Sequence, residues 1–268
     1  MRGSVRVLYS EQGGRPPCFC FDSVVSTNLT AKDMLNAGGC PPAFAVSAEE
    51  QTAGRGRYDR KFLSRRGKGI YITYVRRIPR DTADASVYGA VSALAVRDVL
   101  KDFFDIECTL KWPNDVLCGG KKICGILPES VYAASGERYL LIGIGINVFY
   151  RADDFGELAL SATSAVLQCK NNSIKFSIGE NDSSVSDKMR TAVCDAVDRL
   201  CDRCDGGLRP VLEEYAAGLS TIGRRVGFRD VDGAARYGTA CGVAEDGALL
   251  VDCGGEVRSV RWGEVTVQ

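Results

Sequence analysis

The run Leu140-Leu141-Ile142-Gly143-Ile144-Gly145-Ile146-Asn147 most narrows the folds open to this chain. Its largely apolar character is that of a central strand in a sheet. Its glycines signal a close approach of backbone or ligand. A lone Gly-x-Gly without a following glycine-rich helix start is no dinucleotide fingerprint. Such a strand needs neighbours, and Phe44 to Ala48, Ile70 to Val75, Thr109 to Trp112 and Lys122 to Leu127 read as short strands. The first of the last two runs into a turn marked by Pro113-Asn114-Asp115, and a glycine-containing hairpin at Gly119-Gly120 returns the chain as the other. Cys18 to Val25 alternates enough to be a further strand.

Helices are legible between these strands. Ser26-Thr27 offers capping hydroxyls before a helix to about Ala37, closed by Gly38-Gly39. Asp84 to Leu100 carries Val87, Val91, Leu94 and Ala95 at the spacing of an amphipathic helix that covers one sheet face. Residues 171–187, rich in Asn, Ser and Asp, read as a surface loop or insertion. Met189, Val193, Ala196, Val197 and Leu200 then recur with helical period, and another helix is expected over Leu208 to Leu219. From Thr221 onward, short alternating segments broken at Asp232-Gly233, Asp246-Gly247 and Gly254-Gly255 read as a small antiparallel barrel of about five strands. The expected class is α/β (α+β): a mixed central sheet flanked by helices over residues 1–220, then a small β-barrel domain over 221–268.

Two stretches carry chemistry. Gln51-Thr52-Ala53-Gly54-Arg55-Gly56-Arg57 continues through Arg60-Lys61-Phe62 to a second basic run at Arg65-Arg66-Gly67-Lys68-Gly69. Glycines let main-chain N–H groups turn toward phosphate oxygens, and interleaved arginines add forked, charge-assisted hydrogen bonds. Lys111-Trp112-Pro113-Asn114-Asp115, followed by Lys121-Lys122, sets lysines, an amide and a carboxylate at strand ends rather than on a solvated helix.

Composition removes several classes of function. There is no histidine, which excludes Ser-His-Asp and Cys-His catalysis and every His-containing metal site. Lys plus Arg equals Asp plus Glu at 34 each, so no global field recruits nucleic acid. No run approaches the ~20 apolar residues of a membrane span, and the Met1-Arg2-Gly3-Ser4 start lacks a signal-peptide core, which makes the cytoplasm the expected location. The 12 cysteines then read as free thiols, and Cys201-Asp202-Arg203-Cys204 lacks the second pair that a zinc site needs.

In order and roughly in spacing, Gln51 to Arg57, Lys111 to Asp115, Lys122 to Leu127 and Gly143 to Asn147 resemble the signature motifs of biotin protein ligases. Ser26-Thr27-Asn28 resembles their first motif. Five ordered motifs spanning residues 26 to 147 are a strong signal where one would be weak. The chain looks like a short form without an N-terminal DNA-binding domain, since about 20 residues precede Phe19-Cys20-Phe21 and a helix-turn-helix needs far more.

The resemblance implies a class II synthetase-like ligase core with an SH3-like C-terminal barrel. It also implies a two-step reaction with ATP and Mg2+: biotin is activated as biotinyl-5′-AMP, then transferred to a lysine of a biotin carboxyl carrier domain. Arg55, Arg57 and Lys122 are the expected charge-stabilising residues, with Asp115 as a base, a magnesium ligand or a plain turn former. The biotin side would comprise Ser26, Thr27, Asn28, Gln51, Gly54, Arg55, Gly56, Arg57, Lys122 and Gly125. From their residues alone, Ser26 to Asn28 read as a simple helix cap rather than a ligand site. The nucleotide side would comprise Arg57, Phe62, Lys111, Asn114 and Asn147, with Phe62 where several family members have tryptophan. No protein metal site is assigned, magnesium being carried by the ATP phosphates. The expected partner is a carboxylase carrier domain, with no nucleic acid or membrane, for a monomer or homodimer.

Three rival readings remain: a lipoate ligase or octanoyltransferase, which shares the core fold, a catalytically inactive biotin sensor, and an RNA-binding module using the 50–68 loop.

Overall fold

A computed structural model describes residues 5–8, 15–80, 84–170, 183–230, 233–261, 263 and 265–267. An eight-stranded sheet organises the larger part. It comprises β1 (Arg6–Leu8), β2 (Cys18–Phe21), β3 (Ala43–Ala48), β4 (Gly69–Arg77), β5 (Thr109–Lys111), β6 (Asp115–Cys118), β7 (Lys121–Tyr132) and β8 (Arg138–Asn147), in the order β1-β2-β3-β4-β8-β7-β6-β5. The β2–β3 pair is parallel and the others are antiparallel, so the sheet is mixed. The apolar run at 140–147 is β8, between β4 and β7.

Side-chain alternation gives the sheet two different faces. Ile70, Ile72, Tyr74, Leu140, Ile142, Ile144 and Ile146 point to one face, where they join helix α2 (Ala85–Phe104) in the main core. Val87, Val91, Leu94 and Ala95 of α2 are all buried there. Asp84 caps this helix by accepting the Ser86 N–H at 2.9 Å. The helices over Ser183–Asp205 and Leu208–Gly218 cover the same face. On the other face, α1 (Thr27–Ala37) packs Ala31 and Leu35 against Phe44, Val46, Val75 and Leu141. It covers only part of that face and does not reach Gly145 of β8 or Gly125 of β7.

A second sheet, entirely antiparallel, runs β12-β11-β10-β9-β13 through β9 (Arg225–Arg229), β10 (Ala235–Val243), β11 (Leu249–Asp252), β12 (Val257–Val260) and β13 (Thr266–Val267). Trp112, 2% exposed, donates its indole N–H to Gly247 O at 3.0 Å and fastens this unit to the larger sheet. Among the described residues no helix is long and apolar enough to cross a membrane.

Several boundaries differ from the sequence reading. The first expected strand stops at Phe21, and Val24 makes only an isolated bridge to Gln51. Residues 183–187 are helical rather than loop, and 171–182 lie outside the described residues, as does Asp232. This polar helix start is supported from across the fold, because Asp187 pairs with Arg6 of β1. Strand β7 runs on to Tyr132 through Pro128. Ile126 N–H points to Asn114 O on the β6 side, so the missing N–H of Pro128 falls on that same side, beyond the end of β6, and no ladder bond is lost. The short β1 was not expected, as its residues lack pattern.

Candidate active site

The floor is a row of residues paired across the sheet. Lys111 faces Asp115, Asp115 faces Gly125, Gly125 faces Gly145, and Gly145 faces Tyr71. Charged groups occupy one end of this row, and the glycines in the middle contribute no side chains of their own. A Cβ on Gly145 would collide with the Phe62 ring, and one on Gly125 would lie 3.3 Å from it, so that ring lies along the glycine pair. Gly143, two residues back on the same face, makes room for the Asn28 amide.

Register explains why Lys122 reaches this floor. Val116 pairs with Cys124 but Leu117 pairs with Lys122, so Ile123 is an extra residue in β7. Such a bulge shifts the alternation and re-aims the side chains beyond it. Ile123 and Cys124 both bury in the α2 core, while the Lys122 ammonium stands 2.7 Å from Asp115 Oδ1. The contact is an ion pair whose angles fall outside hydrogen-bond geometry, so Asp115 Oδ1 has a charge beside it but no directed bond.

The basic loop forms a small hairpin over the cavity. Arg55 bridges Lys61, Gly56 N–H donates to Arg60 O at 2.7 Å, and Phe62 N–H donates to Gly54 O at 2.9 Å. Tyr58 turns the tip in the left-handed region, φ 55°. Arg57 lies 5.0 Å from the centre of the Tyr58 ring. It reaches across to Asn114 Oδ1 at 3.5 Å and to the carbonyl of Gly263 in the second domain at 3.2 Å.

The amides at the other end are held in place. Gln51 accepts the Thr27 N–H at 2.9 Å and its hydroxyl at 3.2 Å, and donates to Ser64 Oγ at 2.9 Å. Asn28 lies 2.6 Å from the Thr73 hydroxyl and donates to Glu129, whose other oxygen pairs with Lys32 at 2.7 Å. Ser26 is the N-cap of α1, but its hydroxyl makes no capping bond. Asn147 donates to Thr163 O at 3.1 Å.

Together these groups line a cavity of about 750 Å³, within the range of a cofactor-sized site. Arg55, Arg57, Arg60, Lys61, Lys111 and Lys122 bring positive charge, against the single carboxylate of Asp115. Phe155, Leu158 and Leu160 supply an apolar wall, and Val265, Thr266 and Val267 of the second domain close one side. Among the described residues no group of three or more metal-binding side chains exists, and no cysteine lines this cavity.

Every residue expected on the biotin or nucleotide side or as charge-stabilising lines the cavity except Gly54, which is buried behind the hairpin against Phe62 O and Ser64 Oγ; Arg65, Arg66 and Lys68 of the second basic run and Lys121 do not line it. Thr73 and Glu129 escaped the sequence reading, although both share the parity of floor positions on their strands. Val265 to Val267 carry no local signal, since only the docking of the second domain brings them here.

Residues 20–147 match the Biotin/lipoate A/B protein ligase family, and residues 221–267 match the biotin protein ligase C terminal domain. The bifunctional ligase/repressor BirA of Bacillus spizizenii is 31% identical over 234 residues, covering 86% of this chain and 68% of the relative. The biotin--[acetyl-CoA-carboxylase] ligase of Mycobacterium tuberculosis is 28% identical over 251 residues, covering 91% of this chain and 87% of its own. A solved biotin protein ligase from Aquifex aeolicus, in complex with biotin and ATP, shares the fold with a TM-score of 0.75 at 23% identity, over 94% of this chain and 98% of that one.

Proposed function

Because this chain belongs to the biotin/lipoate A/B protein ligase family, we propose that its cationic cavity is where biotin is activated by ATP and from which it is passed to a lysine of a carrier domain. The observation that carries this reading is the set of six cationic side chains facing one carboxylate above a floor stripped of side chains by Gly125 and Gly145. The Phe62 ring covers that floor in this structure, so a ligand lies there once the loop moves the ring aside, with its anionic end among the cations.

In the first step a biotin carboxylate oxygen attacks the α-phosphorus of ATP. The bond from that phosphorus to the bridging oxygen breaks, pyrophosphate leaves, and a mixed anhydride forms. The nucleophile belongs to the substrate, so the protein has to position it and stabilise charge. Arg55, Arg57 and Lys122 do the latter, and a chain without histidine is adequate for the task. In the second step a lysine amine attacks the anhydride carbonyl, AMP leaves and the amine loses a proton, with Asp115 placed to orient that amine. Thr27 and Gln51, held to each other, form the polar rim for the biotin ring.

Bound to the phosphates of ATP, magnesium would offset their charge, with Asp115 as the one lining carboxylate able to face it. It favours phosphate oxygens and water over protein cages, which suits a cavity with one carboxylate. The name of the Mycobacterium tuberculosis relative, a biotin--[acetyl-CoA-carboxylase] ligase, supports a carboxylase carrier domain as acceptor. Acyl transfer through a cysteine thioester is disfavoured, since Cys124 is fully buried on the α2 side and burial pushes its thiol well up.

The test is incubation with biotin, MgATP and a carrier domain, following pyrophosphate and acceptor mass. An acceptor heavier by one biotinyl group, lost in Arg57→Ala and Lys122→Ala, supports the reading. Biotin binding without either product would replace it with a sensor.

A further inference from the structure

Two walls of the cavity rise from one junction. The basic loop ends at Leu63 to Lys68, and the segment Ala152–Leu160 that supplies the apolar wall begins just after Tyr150. Tyr150, fully buried, donates its hydroxyl to Leu63 O at 3.0 Å, accepts the Arg65 N–H at 2.9 Å, and stacks on Phe155 with ring centres 5.1 Å apart. Lys68 O accepts the N–H groups of Val148 and Phe149 at 3.2 and 2.8 Å.

One side chain adds charge to this junction. Asp154 lies 3.3 Å from the Arg65 guanidinium and 3.0 Å from the Lys68 ammonium, and accepts the Arg151 N–H at 2.8 Å. Its carboxylate is therefore shared between the base of the basic loop and the start of the apolar wall. Neither Asp154 nor Lys68 lines the cavity. Phe62 and Leu63 lie only two or three residues from Arg65, and Phe155 follows Asp154 directly, so displacement at the junction is passed straight to cavity-lining side chains.

We propose that Asp154 is a positioning residue that holds the basic loop and the 152–160 segment together over the activated intermediate, and so sets how long that intermediate stays bound. This rests on the ligase reading, in which a reactive acyl adenylate has to be kept from water until the acceptor arrives. The role needs no contact with the substrate. It predicts a signature that a merely structural residue lacks, namely faster escape of the intermediate and a raised KM for ATP with little change in the maximal rate.

The experiment preforms biotinyl-5′-AMP on the full-length protein, removes free biotin and ATP, and measures intermediate release alongside steady-state constants. Asp154→Asn is expected to release it about ten-fold faster, the scale of lost hydrogen bonds to a charged group, with kcat held within about two-fold and Asp154→Glu restoring most of the retention. Lys68→Gln approaches the same contact from the other side and serves if Asp154→Asn does not fold. Wild-type protein that forms no adenylate overturns the ligase reading and the retention role with it. Wild-type protein that forms it, with folded variants releasing it at the wild-type rate, overturns the role of Asp154 alone.

Discussion

The ammonium of Lys122 stands 2.7 Å from the carboxylate of Asp115, and the two meet on the cavity floor because β7 carries one residue more than β6 between them. A strand of regular alternation would turn Lys122 into the apolar core beside Cys124. The bulge thus converts a buried-face position into a site position.

Lys122→Gln should slow adenylate formation by about two to three orders of magnitude, as loss of a preorganised donor at developing charge does elsewhere. Asp115→Asn leaves the ammonium in place and should cost much less in this step than in transfer to the acceptor. Pre-steady-state pyrophosphate release separates the steps, and an unchanged rate in Lys122→Gln would remove this lysine from the reaction.

Gly145→Ala puts a methyl group where the Phe62 ring lies. That ring belongs to a loop, so the fold should survive while biotin affinity falls by about 1–3 kcal/mol, the usual cost of overpacking. In a Phe62→Ala background the same substitution should cost much less, because the collision partner is gone. Calorimetric titration of the four proteins tests this, and strictly additive costs would contradict it.

Trp112→Phe keeps a buried ring but leaves Gly247 O without its indole donor. A loss of about 1 kcal/mol is expected in urea unfolding. Stability equal to wild type would show that the two sheets are coupled through other contacts.

Stability should be flat around neutrality and decline on both sides. Asp154, held low mainly by the Arg151 N–H, and Glu214, held low by Arg203, contribute stability above their ordinary values of 3.8 and 4.5 that is lost as pH falls through their lower folded values. Burial raises the Cys204 thiol from 9.0 to about 11, so its contribution is complete below pH 9.0 and disappears as pH rises toward 11. Denaturant midpoints under reducing conditions at pH 7 and pH 10 check the alkaline arm, and equal midpoints would refute it.

Much of the fold was legible from local pattern. Helix α2 follows from Val87, Val91, Leu94 and Ala95 on one stripe, and β8 from its unbroken apolar run. The residues given a biotin, nucleotide or charge-stabilising role, other than Gly54, also lie around one cavity. Harder to read were features whose support comes from elsewhere in the chain. Pro128 continues a strand because β6 does not extend opposite it, and the polar start of the 183–205 helix relies on Arg6.

The sequence by itself determined the chemical inventory and the local elements: a cationic glycine-rich loop, lysines at strand ends, no histidine, and strands and helices readable from periods of two and 3.6. These depend on neighbours within a few residues. Only the tertiary structure decided that Lys111, Asp115, Gly125, Gly145 and Tyr71 form one row, that Lys122 faces the cavity, and that Arg57 reaches Gly263 O 206 residues away. The physical reason is that register, bulges and domain docking follow from how the whole sheet buries its apolar face. No single segment contains that information.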